Sequence, residues 1–358
     1  MASIRRWVWG SGLLLALVAA GCEEKKPSVS TPEADAGEVE NAQAVDPSLA
    51  KAVAQVEKQG GGAATTADAG DGPPESGVFA PGKADELHKK GTPPLVKLGQ
   101  AGSAPREVLK VALSPGDKRK GNVELTMRSG RNVLPGIDLS LSIEAQKPKP
   151  GEDGIPVLVK VVGAKVGDIQ GQPAPKELSA QVSKTKGSKV EYRLLPNGAA
   201  VDPRYELAKG ADENLNMVLR SLMETLTTAS LVVPKEAVGA GAMWMVTSRE
   251  FVGGADVVAY RLVKLDSVDK DKLSITVSAK RYAASPKLTL MGLPPGKDLS
   301  LEQFQSTADG QLEVLKGHSL PGSGTLKSTL LAALSDGTQS DQRVGVQAMA
   351  DATLSIHE

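Results

Sequence analysis

Residues 137–145 read IDLSLSIEA, with Ile137, Leu139, Leu141 and Ile143 alternating strictly against Asp138, Ser140, Ser142 and Glu144. A side-chain period of two, apolar on one side and polar on the other, is the pattern of a β-strand with one face buried and one face wet. The same alternation recurs in Leu273, Ile275 and Val277 against Ser274, Thr276 and Ser278, and again in Val344, Val346, Leu354 and Ile356. Strands with one wet face belong to antiparallel sheets, because crossover helices would cover both faces of a parallel one. Further strands are expected near 106–113, 121–128, 155–166, 177–183, 188–195, 243–251, 256–266, 311–317 and 324–335. Turn-forming segments separate them, among them SPGDKRKG (114–121), KPKPGEDG (147–154), DSVDKDK (266–272), PGSG (321–324) and SDGTQSD (335–341).

One segment breaks the strand texture. In ADENLNMVLRSLMETLTTAS (211–230), Leu215, Val218, Leu219, Leu222, Met223 and Leu226 recur at helical spacing and form one apolar stripe. Asp212 or Asn214 is placed to cap the start of this helix, assigned to 212–230, and Pro234 follows its end. A sheet with one apolar face and a helix with one apolar stripe each need a partner to bury against. The expected fold is therefore mainly β, a strongly curved antiparallel sheet or half-barrel with this one amphipathic helix packed on it.

The chain divides by composition. Residues 1–21 carry Arg5 and Arg6 followed by an apolar stretch from Trp7 to Ala20, the pattern of a secretory signal, and the stretch is too short to span a bilayer comfortably. Residues 22–104 are dominated by Ala, Gly, Pro and acidic residues with Phe79 as the sole aromatic, and are expected to form a disordered tether reaching on the order of 50 Å. Residues 105–358 hold the periodic segments and are expected to form a single β-rich domain.

Composition also excludes function classes. Lys plus Arg equals Asp plus Glu at 42 each and aromatics make up 3%, so neither a basic field nor a stacking platform for nucleic acid is present. The single cysteine, Cys22, rules out an intramolecular disulfide and a CxxC zinc site. His88, His318 and His357 lack metal-ligand spacing, and neither a metal nor another cofactor is expected. The segment GHSLP (317–321) departs from the GxSxG nucleophile elbow and lies between strands, where a polar hairpin turn is expected. The chain is not expected to be an enzyme.

Small residues at the helix-facing side of the last strand leave two possibilities open. Ala348, Ala350 and Ala352 either admit a closely packed helix or, with Leu215, Leu219, Leu222, Met223 and Trp244, line a cavity for an apolar ligand.

Three resemblances add to these readings. Ala19-Ala20-Gly21-Cys22 resembles the bacterial lipobox, which implies that Cys22 is lipid-modified and begins the mature protein; Glu23 in place of Asp favours the outer membrane. The segments APREVLKVALSPGDKRKGNVELTMRS (104–129) and LVVPKEAVGAGAMWMV (231–246), the latter with Pro234, Val238, Gly241 and Trp244 in a P-x3-V-x2-G-x2-W pattern, are similar to uncharacterised lipoproteins of myxobacteria and related bacteria. The expected architecture also resembles the half-barrel Lol-type lipoprotein carriers and mycobacterial lipid carriers. These resemblances imply an envelope lipoprotein held to the membrane through Cys22, whose body binds a lipid, another apolar ligand or an envelope protein. The alternative is a purely structural or interaction lipoprotein with a packed core.

Overall fold

A computed structural model describes residues 73–130, 132–169, 171–287, 300–335 and 343–357. In chain order the elements are α1 (Lys83–Leu87), β1 (Leu95–Gln100), β2 (Glu107–Val108), β3 (Lys118–Ser129), β4 (Asn132–Val133), β5 (Ile137–Ala145), β6 (Ile155–Val166), α2 (Lys176–Ser183), β7 (Lys189–Leu194) and β8 (Ala200–Glu206). There follow α3 (Asn216–Ala229), β9 (Ala237–Val238), β10 (Met243–Val252), β11 (Ala255–Val268), β12 (Lys272–Ala283), β13 (Ser300–Leu315), β14 (Ser323–Ser335) and β15 (Arg343–His357).

The fold is mainly β, as the alternating segments predict. One large antiparallel sheet runs in the order β1-β10-β11-β12-β13-β14-β15-β3-β5-β6-β7-β8, with β4 added beside β3, and it does not close into a barrel. The path is two meanders, β3 to β8 and β10 to β15, zipped together where the last strand pairs with the first long one, Leu354 opposite Val123. The hairpins are tight where the chain permits. Gly253 and Gly254 form the two-residue turn between Val252 and Ala255 with φ of 59° and 92°, the left-handed pair that a twisted hairpin favours.

The helix α3 carries the chain from β8, at one end of the sheet, to β10, near the other. A 3-10 turn at Glu213–Leu215 leads into it, and the Asp212 carboxylate accepts the Asn214 N–H at 2.9 Å, so the expected cap is present. Leu219, Leu222 and Leu226 are fully buried in one hydrophobic cluster with Val123, Leu139, Val190, Val263, Ile275 and Leu354 from six strands. Burial extends beyond the apolar stripe to Thr225 and Thr228. The reason is that α3 packs against β3, β7, β8 and β13, so the sheet meets it from more than one side.

Three expectations need correction. The segment 177–183 is the helix α2, not a strand: Leu178 and Val182 stand four apart and turn one face onto β6, Val182 being buried. The segment 106–113 contributes only the two residues of β2, paired with β9, and a single bridge from Val111 to Gly317. Its would-be partner runs out at Gly239, where backbone from Ser103 approaches too closely for any side chain.

The tether assignment also fails for its last part, since residues 73–104 are folded onto the sheet. Phe79 and Ala84 are buried against Val258 and Ala284, and β1 pairs with β10 from Leu95 opposite Thr247 to Gln100 opposite Met243. Averaged composition hides this strand, because LVKLGQ takes its order from the free hydrogen-bonding edge of β10 and not from its own apolar content. Residues 22–72 lie outside the described residues.

Truncation of Leu222 to Ala is expected to destabilise the body by about 2–5 kcal/mol, the range for a cavity made in a packed core. Leu95, 51% exposed, is expected to tolerate the same change within about 0.5 kcal/mol. Urea unfolding midpoints of the two variants measure the contrast.

Candidate functional site

The face of β10 that meets the helix is made by its even-numbered residues. Trp244 and Val246 belong to the large hydrophobic cluster and Val252 to a second, smaller one with Val257, Phe304 and Leu334. Between them fall Ser248 and Glu250. The register carries this polar row across the sheet: Val246 stands opposite Arg261, Ser248 opposite Ala259, Ala259 opposite Arg281, and Arg281 opposite Ser306. A buried polar layer thus separates two apolar clusters on one face.

Each member of the layer is held by hydrogen bonds. Arg261 Nη1 donates to the carbonyls of Thr227, Thr228 and Ser230 at 3.3, 3.1 and 3.2 Å, and its Nη2 donates to Glu250 Oε1 at 3.1 Å. These carbonyls are the ones a helix leaves without partners at its C-terminus, where partial negative charge collects. Arg281 donates from Nη2 to Thr228 Oγ1 at 2.7 Å and from Nε to Glu250 Oε2 at 3.4 Å. Glu250 Oε1 also accepts from Ser248 Oγ at 2.7 Å. One turn back along the helix, Glu224 Oε1 accepts the Gly253 N–H at 3.1 Å, which fastens the β10–β11 turn to α3.

The two carboxyls are driven apart electrostatically. Burial raises the pKa of Glu224 above the usual carboxylate value, and the Arg281 and Arg220 charges and the Gly253 N–H only partly oppose it. Burial also disfavours the charge on Glu250, but Arg261, Arg281 and the Ser248 hydroxyl outweigh it and hold that carboxyl below its usual value. Arg261 is lowered, chiefly by burial, with the Glu250 charge opposing.

A cavity of about 540 Å³ opens against this layer. Met223, Glu224, Thr227 and Thr228 of α3 form one wall, Val246 and Ser248 to Val252 of β10 a second, and Ala199 to Pro203, leading into and along β8, a third. It lies at the unclosed seam of the sheet, because pairing of β1 with β10 stops at Leu95 opposite Thr247 and leaves Ser248 onward without β1. The rim is built from ion pairs. Arg193 binds Asp202 and donates to the Asp153 carbonyl at 2.6 Å. On the other side Arg249 binds Asp256 at 2.7 Å, Asp85 at 3.1 Å and the His88 carbonyl at 3.1 Å.

Of the residues that sequence analysis places around a cavity, Met223 lines this one. Leu215, Leu219, Leu222, Trp244 and Ala352 belong to the large hydrophobic cluster, with Ala350 packed against it, and Ala348 is half-buried on β15. Trp244 is fully buried and its indole Nε1 donates to the Val232 carbonyl at 2.7 Å. Cys22 lies outside the described residues. The segment GHSLP lies in the hairpin connection between β13 and β14, as expected; Ser319 is buried there and its carbonyl accepts the Leu231 N–H at 2.7 Å, which docks the connection on the chain beyond α3. Among the described residues no group of three His, Cys, Asp or Glu is placed to hold a metal ion, and no helix is long and apolar enough to cross a membrane.

Sequence reasoning missed Glu224, Glu250, Arg261 and Arg281. A signal was available for three of them: Glu250 falls in phase with Trp244 and Val246, Arg261 with Val263 and Leu265, and Arg281 with Ile275 and Val277. A charge on the apolar phase of a strand requires a buried partner. No protein-family model matches the chain, and no curated protein matches it.

Two outcomes are expected. Arg261→Met strips the helix end of its donor and leaves Glu250 under-compensated, a loss of about 3–5 kcal/mol in chemical denaturation. Glu224 has a raised folded pKa, so its contribution to stability is fully present below its ordinary value of 4.5 and is lost as pH rises through the folded value. Glu224→Gln therefore gains stability relative to the parent at pH 8 compared with pH 4, as read from paired melting curves.

Proposed function

We propose that this chain is a lipid-anchored, non-enzymatic protein of the bacterial cell envelope, whose β-rich body holds a small ligand in the seam between β8 and β10. The observation that carries the binding role is the cavity of about 540 Å³, walled by α3 and the two strands and backed by the buried Glu250–Arg261 pair. Its size falls within the range of small-molecule sites, about 300–1,000 Å³. Two of its walls are carried by α3 and β10, elements whose geometry is set by the core, and segments such as Lys90–Pro94 complete the rim. The fully buried state of Leu219, Leu222 and Trp244 favours a packed interior with the ligand at the seam over a carrier that opens its core.

The attachment half of the proposal rests on Ala19-Ala20-Gly21-Cys22. Lipid on Cys22 supplies the two or more acyl chains that stable anchoring needs, with the outer membrane as its seat. Residues 73–104 are folded onto the sheet and so do not belong to the connection between Cys22 and the body.

Native mass spectrometry of the protein purified from its own host tests the binding half. A ligand-sized adduct that disappears in Val201→Trp, which fills the seam from β8, is the expected result; a bare mass in the parent contradicts it. For the anchor, Cys22→Ala is expected to move the protein from the membrane to the soluble fraction and to abolish labelling by fatty acid. Membrane retention of that variant refutes attachment through Cys22.

A further inference from the structure

The seam combines charges that are already neutralised with an apolar wall and one exposed aromatic ring. Every cation lining it faces a carboxylate of the protein: Arg193 faces Asp202, Arg249 and Lys90 face Asp256, and Arg261 faces Glu250. An anionic ligand therefore finds no spare positive charge. Of the five carboxylates in the lining, Asp202, Asp256 and Glu250 are already engaged by arginines and Glu224 accepts a backbone N–H, so most of the negative charge is spent before a cation arrives. A purely apolar ligand would cover these ion pairs without replacing their water contacts, which costs free energy at each polar atom.

What complements such a surface is a molecule without net charge whose groups both donate and accept. Hydroxyls do this, giving their proton to a carboxylate and taking one from a guanidinium side by side. The apolar part of the site, Met223, Val232 and Val246, offers a surface for C–H groups. At the rim Phe251 is 44% exposed, a ring whose electron-rich face attracts the weakly positive C–H side of a sugar. An extended peptide is less well matched, since the strand edges beside the seam are blunted. On β8, Asp202 has φ of 52° and is followed by Pro203, and Pro93 and Pro94 precede β1.

We propose that the seam between β8 and β10 binds an uncharged, hydroxyl-rich ligand of the saccharide class. This rests on the reading that the seam holds a ligand at all. The full-length chain in detergent is titrated with three neutral disaccharides, N,N′-diacetylchitobiose, maltose and cellobiose, and in parallel with palmitate, citrate and tetra-alanine, followed by saturation-transfer NMR and calorimetry.

Saturation transfer to at least one disaccharide is expected, with affinity reduced fivefold or more in Phe251→Ala at unchanged melting temperature, and binding lost in Val201→Trp. Binding of palmitate, citrate or tetra-alanine that Val201→Trp abolishes, with none of the disaccharides bound, overturns the ligand class while leaving the seam as a binding site. Silence of all six probes overturns the class too, and together with a bare native mass it removes the seam site itself.

Discussion

The guanidinium of Arg261 sits where three requirements of the molecule meet. It reaches the carbonyls at the end of α3, it neutralises Glu250 from the neighbouring strand, and it does so from the helix-facing side of the sheet between two apolar clusters. A helix end without partners inside a protein is costly, and a carboxylate there is more so. Each cancels the other's cost only if α3 ends at Ala229 and the strands hold one register. Slipping β10 against β11 by one residue would move Glu250 to the opposite face, away from Arg261. The polar layer thus specifies where the helix lies, and the apolar clusters on either side supply most of the stabilisation.

The seam follows from that placement. The chain builds two meanders and must travel from the end of the first to the start of the second. It does so through α3, which packs across the face of the sheet, and β8 and β10 do not pair with each other, standing near opposite ends of the strand order. β1 covers part of the exposed edge of β10 and stops at Leu95. The remainder opens into the cavity, where the polar layer meets solvent beside the connection that fills the core. Binding chemistry placed there is backed by Glu250, Arg261 and Ser248, which hold one another through hydrogen bonds.

Much of the sheet was legible because its strands have one buried face, and alternation of Ile137, Leu139, Leu141 and Ile143 or of Leu273, Ile275 and Val277 reports that directly. The helix was legible for the same reason at a different period, with Leu219, Leu222 and Leu226 on one stripe. α2 was misread since eight residues with Leu178 and Val182 as the inward pair carry too little periodicity to separate a helix from a strand. β1 was hidden in a polar, proline-rich neighbourhood because edge strands gain order from a partner's backbone, which leaves no mark in their own composition. The candidate site was the least legible part. Glu250, Arg261 and Arg281 each fall on the apolar phase of their strands, but which charge meets which depends on the pairing of three strands and the end of α3.

The amino-acid sequence by itself determined the fold class and the presence and phase of the main helix, since these depend on local periodicity and turn chemistry alone. Which strands neighbour each other, where the sheet stays open and which charges face inward were decided by tertiary structure. The physical reason is that an ion pair such as Glu250 with Arg261 has meaning only at short range, and only the register of β10 on β11, together with the end of α3, brings those groups within 3.1 Å.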